Sequence, residues 1–161
     1  KSYLSSNNIS RVFAVGNSAG GSILMDLCGD LKIDAMLAIS PKIDLGAAYR
    51  AFDRRQSDWN EWVEEGTELP NPWRAFERET HLTILHGLRG PDGAHAAICP
   101  QSKRLQHFLF PDMEHNLKDR IGGANQGMRR MVDHLCAMDF DGMKRIALEK
   151  GAFLRGHEPS K

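Results

Sequence analysis

The chain has 161 residues, 41% of them hydrophobic and 26% charged, with 21 basic residues against 21 acidic ones. That length supports one domain with a real core. The balanced charge gives no reason to expect nucleic acid or an anionic membrane as partner, and no apolar run reaches the length of a membrane span.

Residues 1–10 are polar, with a loop at Ser5-Ser6-Asn7-Asn8. Arg11 to Val15 holds Val, Phe and Val, which predicts a strand. Gly16-Asn17-Ser18-Ala19-Gly20 is a G-x-S-x-G pattern. Ser22 to Cys28 then sets Ile23, Leu24 and Leu27 on one helical face ahead of Gly29. Strand, tight turn and helix around that pattern predict a nucleophile elbow at Ser18. Gly16, Ala19, Gly20 and Gly21 supply the smallness that lets strand and helix approach. The Ala19 N–H, at the helix start, faces the place where an oxyanion would develop. The competing reading is a glycine-rich turn that only joins two elements. A dinucleotide loop fails because Ser18 stands at the second glycine, and a phosphate loop fails because no Gly-Lys-Ser/Thr follows.

Ile33 to Ser40 is a near-continuous apolar run closed by Pro41, as suits a parallel strand buried on both faces. Asp44 lies just past its end, where α/β sheets place catalytic groups, with Lys42 as a partner. Residues 47–80 change character and hold Trp59, Trp62 and Trp73. Asp58 and Glu61 mark a helix start, Glu64-Glu65-Gly66 its end, and Pro70-Asn71-Pro72 a break. The segment reads as a helical insertion or cap with Trp59 and Trp62 beside the mouth of a site, or equally as a surface excursion with a small core of its own.

His81 to Gly87 is the third strand. Leu88 to Gly93 is a turn-rich loop containing Asp92, and Ala94 to Ile98 a short helix. Gln106 to Phe110 is the fourth strand, followed by a loop with His115. Met128, Met131, Val132 and Leu135 recur at helical spacing, and Met143, Ile146 and Ala147 suggest one more helix ended by Gly151. Residues 1–154 form one domain and 155–161 a tail. Strands alternating with helices predict an α/β fold, a parallel sheet with flanking helices. Cys28, Cys99 and Cys136 are odd in number and lack a C-x-x-C spacing, which reads as reduced thiols of a cytoplasmic protein.

The order Ser18, Asp92, His115, each after a strand, resembles the α/β-hydrolase superfamily from its nucleophile elbow onward. Three local matches carry the resemblance: Gly16-Asn17-Ser18-Ala19-Gly20-Gly21, His86-Gly87 followed by Pro91-Asp92, and Glu114-His115-Asn116. Asp92-Gly93-Ala94-His95-Ala96 also resembles a stretch of hydrolase-like proteins from bacterial surface-polysaccharide loci.

The resemblance implies a serine hydrolase that cleaves an ester or related acyl bond of a small molecule or carbohydrate. Ser18 would be its nucleophile, His115 its base, Asp92 its acid and Ala19 its oxyanion donor. It implies no cofactor. No histidine pair has a metal-ligand spacing with a carboxylate or cysteine, so no metal is expected either. Asp44 is the alternative acid; Asp92 is preferred because its loop follows the strand before the one that presents His115. Bland readings compete: Asp92 shaping a Pro-Asp-Gly turn, and His115 as a surface loop residue. His81, His86, His95 and His107 read as structural or exposed. The family has further strands before the elbow, and only about ten residues precede the first strand here. A fragment, an unusually short sheet and an inactive protein all fit. The alternative function is a non-catalytic hydrolase-like module that binds a carbohydrate or protein through the tryptophan-rich insertion.

Overall fold

The computed structural model describes residues 7–46, 53, 57–123 and 126–156, apart from the side chains of 57–59 and 62. Among these residues five strands form one sheet: β1 (Phe13–Asn17), β2 (Ala35–Ile39), β3 (His81–Gly87), β4 (Leu105–Phe110) and β5 (Phe153–Leu154). They lie side by side in chain order. β1 to β4 are parallel, with Phe13 beside Ala35, Ala35 beside His81 and Leu82 beside Leu105. The connections carry the helices α1 (Ala19–Leu27), α2 (Ser57–Glu64), α3 (Gly90–Ile98), α4 (Leu117–Gly122), α5 (Gly127–Cys136) and α6 (Phe140–Glu149), with a 3-10 helix at Pro72–Glu77.

The apolar runs become strands because both sheet faces are covered. β2 is buried at all five positions, as its unbroken Ala-Met-Leu-Ala-Ile requires. Successive side chains alternate between two cores. Ala35, Leu37, Ile39, Leu85, Phe108 and Phe110 meet Met131 and Leu135 of α5 and Met143 and Ile146 of α6. On the other face Met36, Ala38, Leu82 and Ile84 meet Met25 of α1, Ala75 of the 3-10 helix and Cys99. The fold is therefore mixed α/β, a mostly parallel five-stranded sheet flanked by helices. No helix among the described residues is long and apolar enough to cross a membrane.

Two expectations change. The sheet has a fifth strand, antiparallel to β4, pairing Phe108 with Leu154 and Leu109 with Phe153. Two residues are too few for a strand periodicity, so nothing in the sequence marks it. Gly151, at φ +90°, turns the chain out of α6 towards it. The Arg155 guanidinium follows and donates to the carbonyls of Ala96, Ala97 and Cys99, capping the C-terminus of α3. Second, α3 starts at Gly90 rather than Ala94, because Pro91 is preorganised for a first helical turn. Asp92 thus sits on that first turn and not in a loop.

In the 47–80 segment α2 appears where the sequence puts it, while the chain read as broken at Pro70-Asn71-Pro72 goes on into a 3-10 helix at Pro72–Glu77. Gly66, at φ +76°, follows α2, and the Asn71 side chain accepts the Trp73 N–H. Arg74 pairs with Asp26 at 3.1 Å and Asp30 at 2.6 Å, so the Pro72–Glu77 helix lies at the C-terminal end of α1, away from Ser18. The expectation for Trp59 and Trp62 falls on side chains outside the described residues.

Candidate active site

β1 passes into α1 through one residue, Ser18, at φ 54° and ψ −126°. Such a conformation costs a non-glycine residue on the order of 1–3 kcal/mol and persists where the surroundings enforce it. A serine before a helix usually turns its hydroxyl onto the free N–H groups of the first turn. Ser18 makes no such bond; its Oγ lies 2.7 Å from His115 Nε2. Ala19, the first residue of α1, holds an amide with no acceptor inside its own helix.

The close strand–helix crossing explains two of the glycines. A Cβ on Gly16 would sit 2.7 Å from Gly21 Cα and 2.8 Å from the Gly20 carbonyl oxygen. One on Gly21 would press within 3.3 Å of the Gly16 carbonyl oxygen and Pro41 Cβ. Gly20 departs from the expectation: a Cβ there meets nothing within 4 Å, so the crossing does not require it.

His115 follows β4 and Asp92 sits on α3. The Asp92 carboxylate oxygens lie 3.1 and 3.0 Å from His115 Nδ1. A carboxylate only accepts, so Nδ1–H donates to Asp92 and a neutral ring keeps its lone pair on Nε2, facing the Ser18 hydroxyl. Asp92 is 1% exposed. The His115 backbone is fixed as well: the Ser40 hydroxyl donates to its carbonyl at 3.0 Å, and the Arg89 N–H donates to Met113 O at 3.0 Å.

Asp44 is used elsewhere. Its Oδ1 accepts the Gly46 N–H at 2.6 Å and closes a small turn. Lys42 does not pair with it either. The Lys42 ammonium is ion-paired with Asp53 and lies 3.6 Å from Asp92 Oδ1, with all three side chains buried. The sequence reading missed Lys42 and Asp53 in this place, as it missed Ser40. The available signal was a lysine between Pro41 and Ile43, directly at the end of a strand too apolar to leave it in water.

Three further histidines, His86, His95 and His107, are buried. His86 Nε2 lies 2.9 Å from Pro41 O and must donate to it, so its Nδ1 accepts from His107 Nε2–H at 2.9 Å. That leaves His107 Nδ1 as a buried acceptor. His95 Nδ1 accepts the Ile43 N–H at 3.2 Å. Burial holds the imidazoles of His86 and His95 down to about 4 and that of His107 to about 2. These rings stay neutral in the fold, while an unfolded histidine takes up a proton near pH 6.5. Below that pH the unfolded chain binds more protons, so stability falls from about pH 6.5 towards pH 4, by up to about 1.4 kcal/mol per pH unit for each histidine. Urea unfolding at a series of pH values checks this. The slope should shrink in His107→Gln; an equal slope in the variant would contradict it.

No family model and no curated protein matches the chain. Among solved structures it is similar to the esterase domain of a Rhodothermus marinus protein, with a TM-score of 0.49 and 14% identity, over 93% of this chain and 64% of that one. The chain thus spans less than two thirds of that neighbour's length.

Proposed function

We propose that this chain is a serine hydrolase of the α/β-hydrolase type, cleaving an ester or related acyl bond of a small molecule or carbohydrate. The observation that carries the reading is the continuous hydrogen-bonded series Ser18 Oγ, His115 and Asp92, at 2.7 and 3.0 Å, with the serine on a strained residue between strand and helix. Ser18 Oγ attacks the carbonyl carbon as its proton passes to His115 Nε2. The carbonyl oxygen becomes an oxyanion that accepts the Ala19 N–H. Asp92 accepts the Nδ1–H and stabilises the imidazolium. The imidazolium then protonates the leaving alcohol, which departs as the acyl-enzyme forms on Ser18. Water enters, His115 takes its proton, and the acid product leaves. The chemistry needs no cofactor. The unpaired cysteines suit a cytoplasmic setting.

The test is a fluorophosphonate probe on the folded protein, with the adduct located by peptide mass. The adduct is expected on Ser18, together with release of p-nitrophenol from a short-chain ester. A folded protein that takes no label would favour a hydrolase-like binding module without catalysis.

A further inference from the structure

We infer that Lys42 is a positioning residue of the Ser18–His115–Asp92 series: its ammonium, held between Asp53 and Asp92, keeps the Asp92 carboxylate aimed at His115 and sets how strongly it attracts the proton on that ring. The inference rests on the triad reading above and deepens it.

Three consecutive residues around this lysine are each fastened by a buried side chain from a different element. The Pro41 carbonyl accepts His86 Nε2–H from β3, at 2.9 Å. The Lys42 N–H donates to Ser22 Oγ of α1, at 2.8 Å. The Ile43 N–H donates to His95 Nδ1 of α3, at 3.2 Å. The lysine backbone therefore has no freedom to wander, and its side chain runs inward at 1% exposure. A buried ion pair is a poor means of stabilising a fold, since apolar residues of similar volume often do as well or better. Its position here is what matters. The cation touches the one carboxylate that meets His115.

The charges explain the second acid. Asp92 and Lys42 alone would form a neutral pair, and a carboxylate so compensated attracts an imidazolium weakly. Asp53 draws on the same ammonium. With Asp53 present the buried trio carries one net negative charge, which the imidazolium formed during reaction neutralises. Titratable groups near the trio among the described residues include His86 on β3 and His95 on α3, which feel both Lys42 and Asp92, and Glu114 beside His115 on its own loop. Burial keeps His86 and His95 neutral down to about pH 4, so both hold a constant charge above that pH.

The measurement is the NMR titration of the His115 ring, assigned by its loss in His115→Gln, and it needs no turnover. Asp53→Asn leaves Lys42 to Asp92 alone and should lower the His115 midpoint by about 0.5 pH unit or more. Adding Lys42→Met to that variant removes the cation, replaces the ion pair by neutral groups of similar size, and should bring the midpoint back above the wild-type value. The acid limb of ester hydrolysis should follow both shifts. An unchanged or raised midpoint in Asp53→Asn, or a double variant no higher than the single one, overturns the role of Lys42. Shifted midpoints in a protein that takes no fluorophosphonate would instead overturn the hydrolase reading and leave the Lys42–Asp92 coupling standing.

Discussion

Replacing Asp92 by asparagine is expected to cut ester turnover on the order of 10⁴-fold with the fold intact. The amide can turn its NH₂ to His115, and the ring then carries its proton on Nε2, where it can no longer accept one from Ser18. The residue is buried on the first turn of α3, and the isosteric change leaves no cavity. Lys42 retains Asp53 as its partner. Asp44→Asn is the matched control. Asp44 gives one oxygen to the Gly46 N–H, which an asparagine carbonyl reproduces, so its turnover should stay close to wild type. Steady-state rates on one ester, beside circular dichroism of each variant, decide the matter. A large loss in Asp44→Asn with none in Asp92→Asn would move the acid to Asp44, and silence in both would leave a Ser-His dyad.

Gly87→Ala should damage the site without touching any of its side chains. Gly87 ends β3 beneath the loop that presents His115. A Cβ there would overlap the carbonyl oxygens of Met113 and Glu114 and lie 2.8 Å from the Met113 carbonyl carbon. All of these are backbone atoms, so the loop itself must move. The expected cost is about 1–3 kcal/mol of stability. A shift of roughly 1 Å at His115 would also lower turnover about 10²-fold. Gly20→Ala supplies the comparison, because its Cβ enters open space and should leave both quantities nearly unchanged. Urea midpoints and kcat for the two variants test this. Equal behaviour would mean that the 113–115 loop tolerates displacement.

The contrast between those glycines also shows where the sequence was readable. The strands β1 to β4 were legible because burial on both faces demands apolar runs, and Met36 to Ile39 can hardly be anything else. Ser18 was legible because strand, small residues and helix leave few other turns. The order of Asp92 and His115 followed from their places after successive strands. What escaped depends on distance in space. Lys42 and Asp53 are 11 residues apart, and Asp53 stands in a segment with no strand pattern to locate it. The Ser40 hydroxyl reaches a carbonyl 75 residues away. β5 escaped because its two residues form a strand only by pairing with β4.

The sheet order has a consequence in time. Each parallel strand lies beside its sequence predecessor, so a chain emerging from the ribosome can add β2 to β1 and β3 to β2 without waiting for distant partners. The residues of the proposed triad follow no such local rule, for Ser18 and His115 stand 97 residues apart. At roughly 5–20 residues per second, Ser18 is synthesised about 5–20 seconds before His115. On the proposed reading the Ser18 hydroxyl has no proton acceptor during that interval, and ester cleavage would begin only once β4 docks and brings its loop to Ser18.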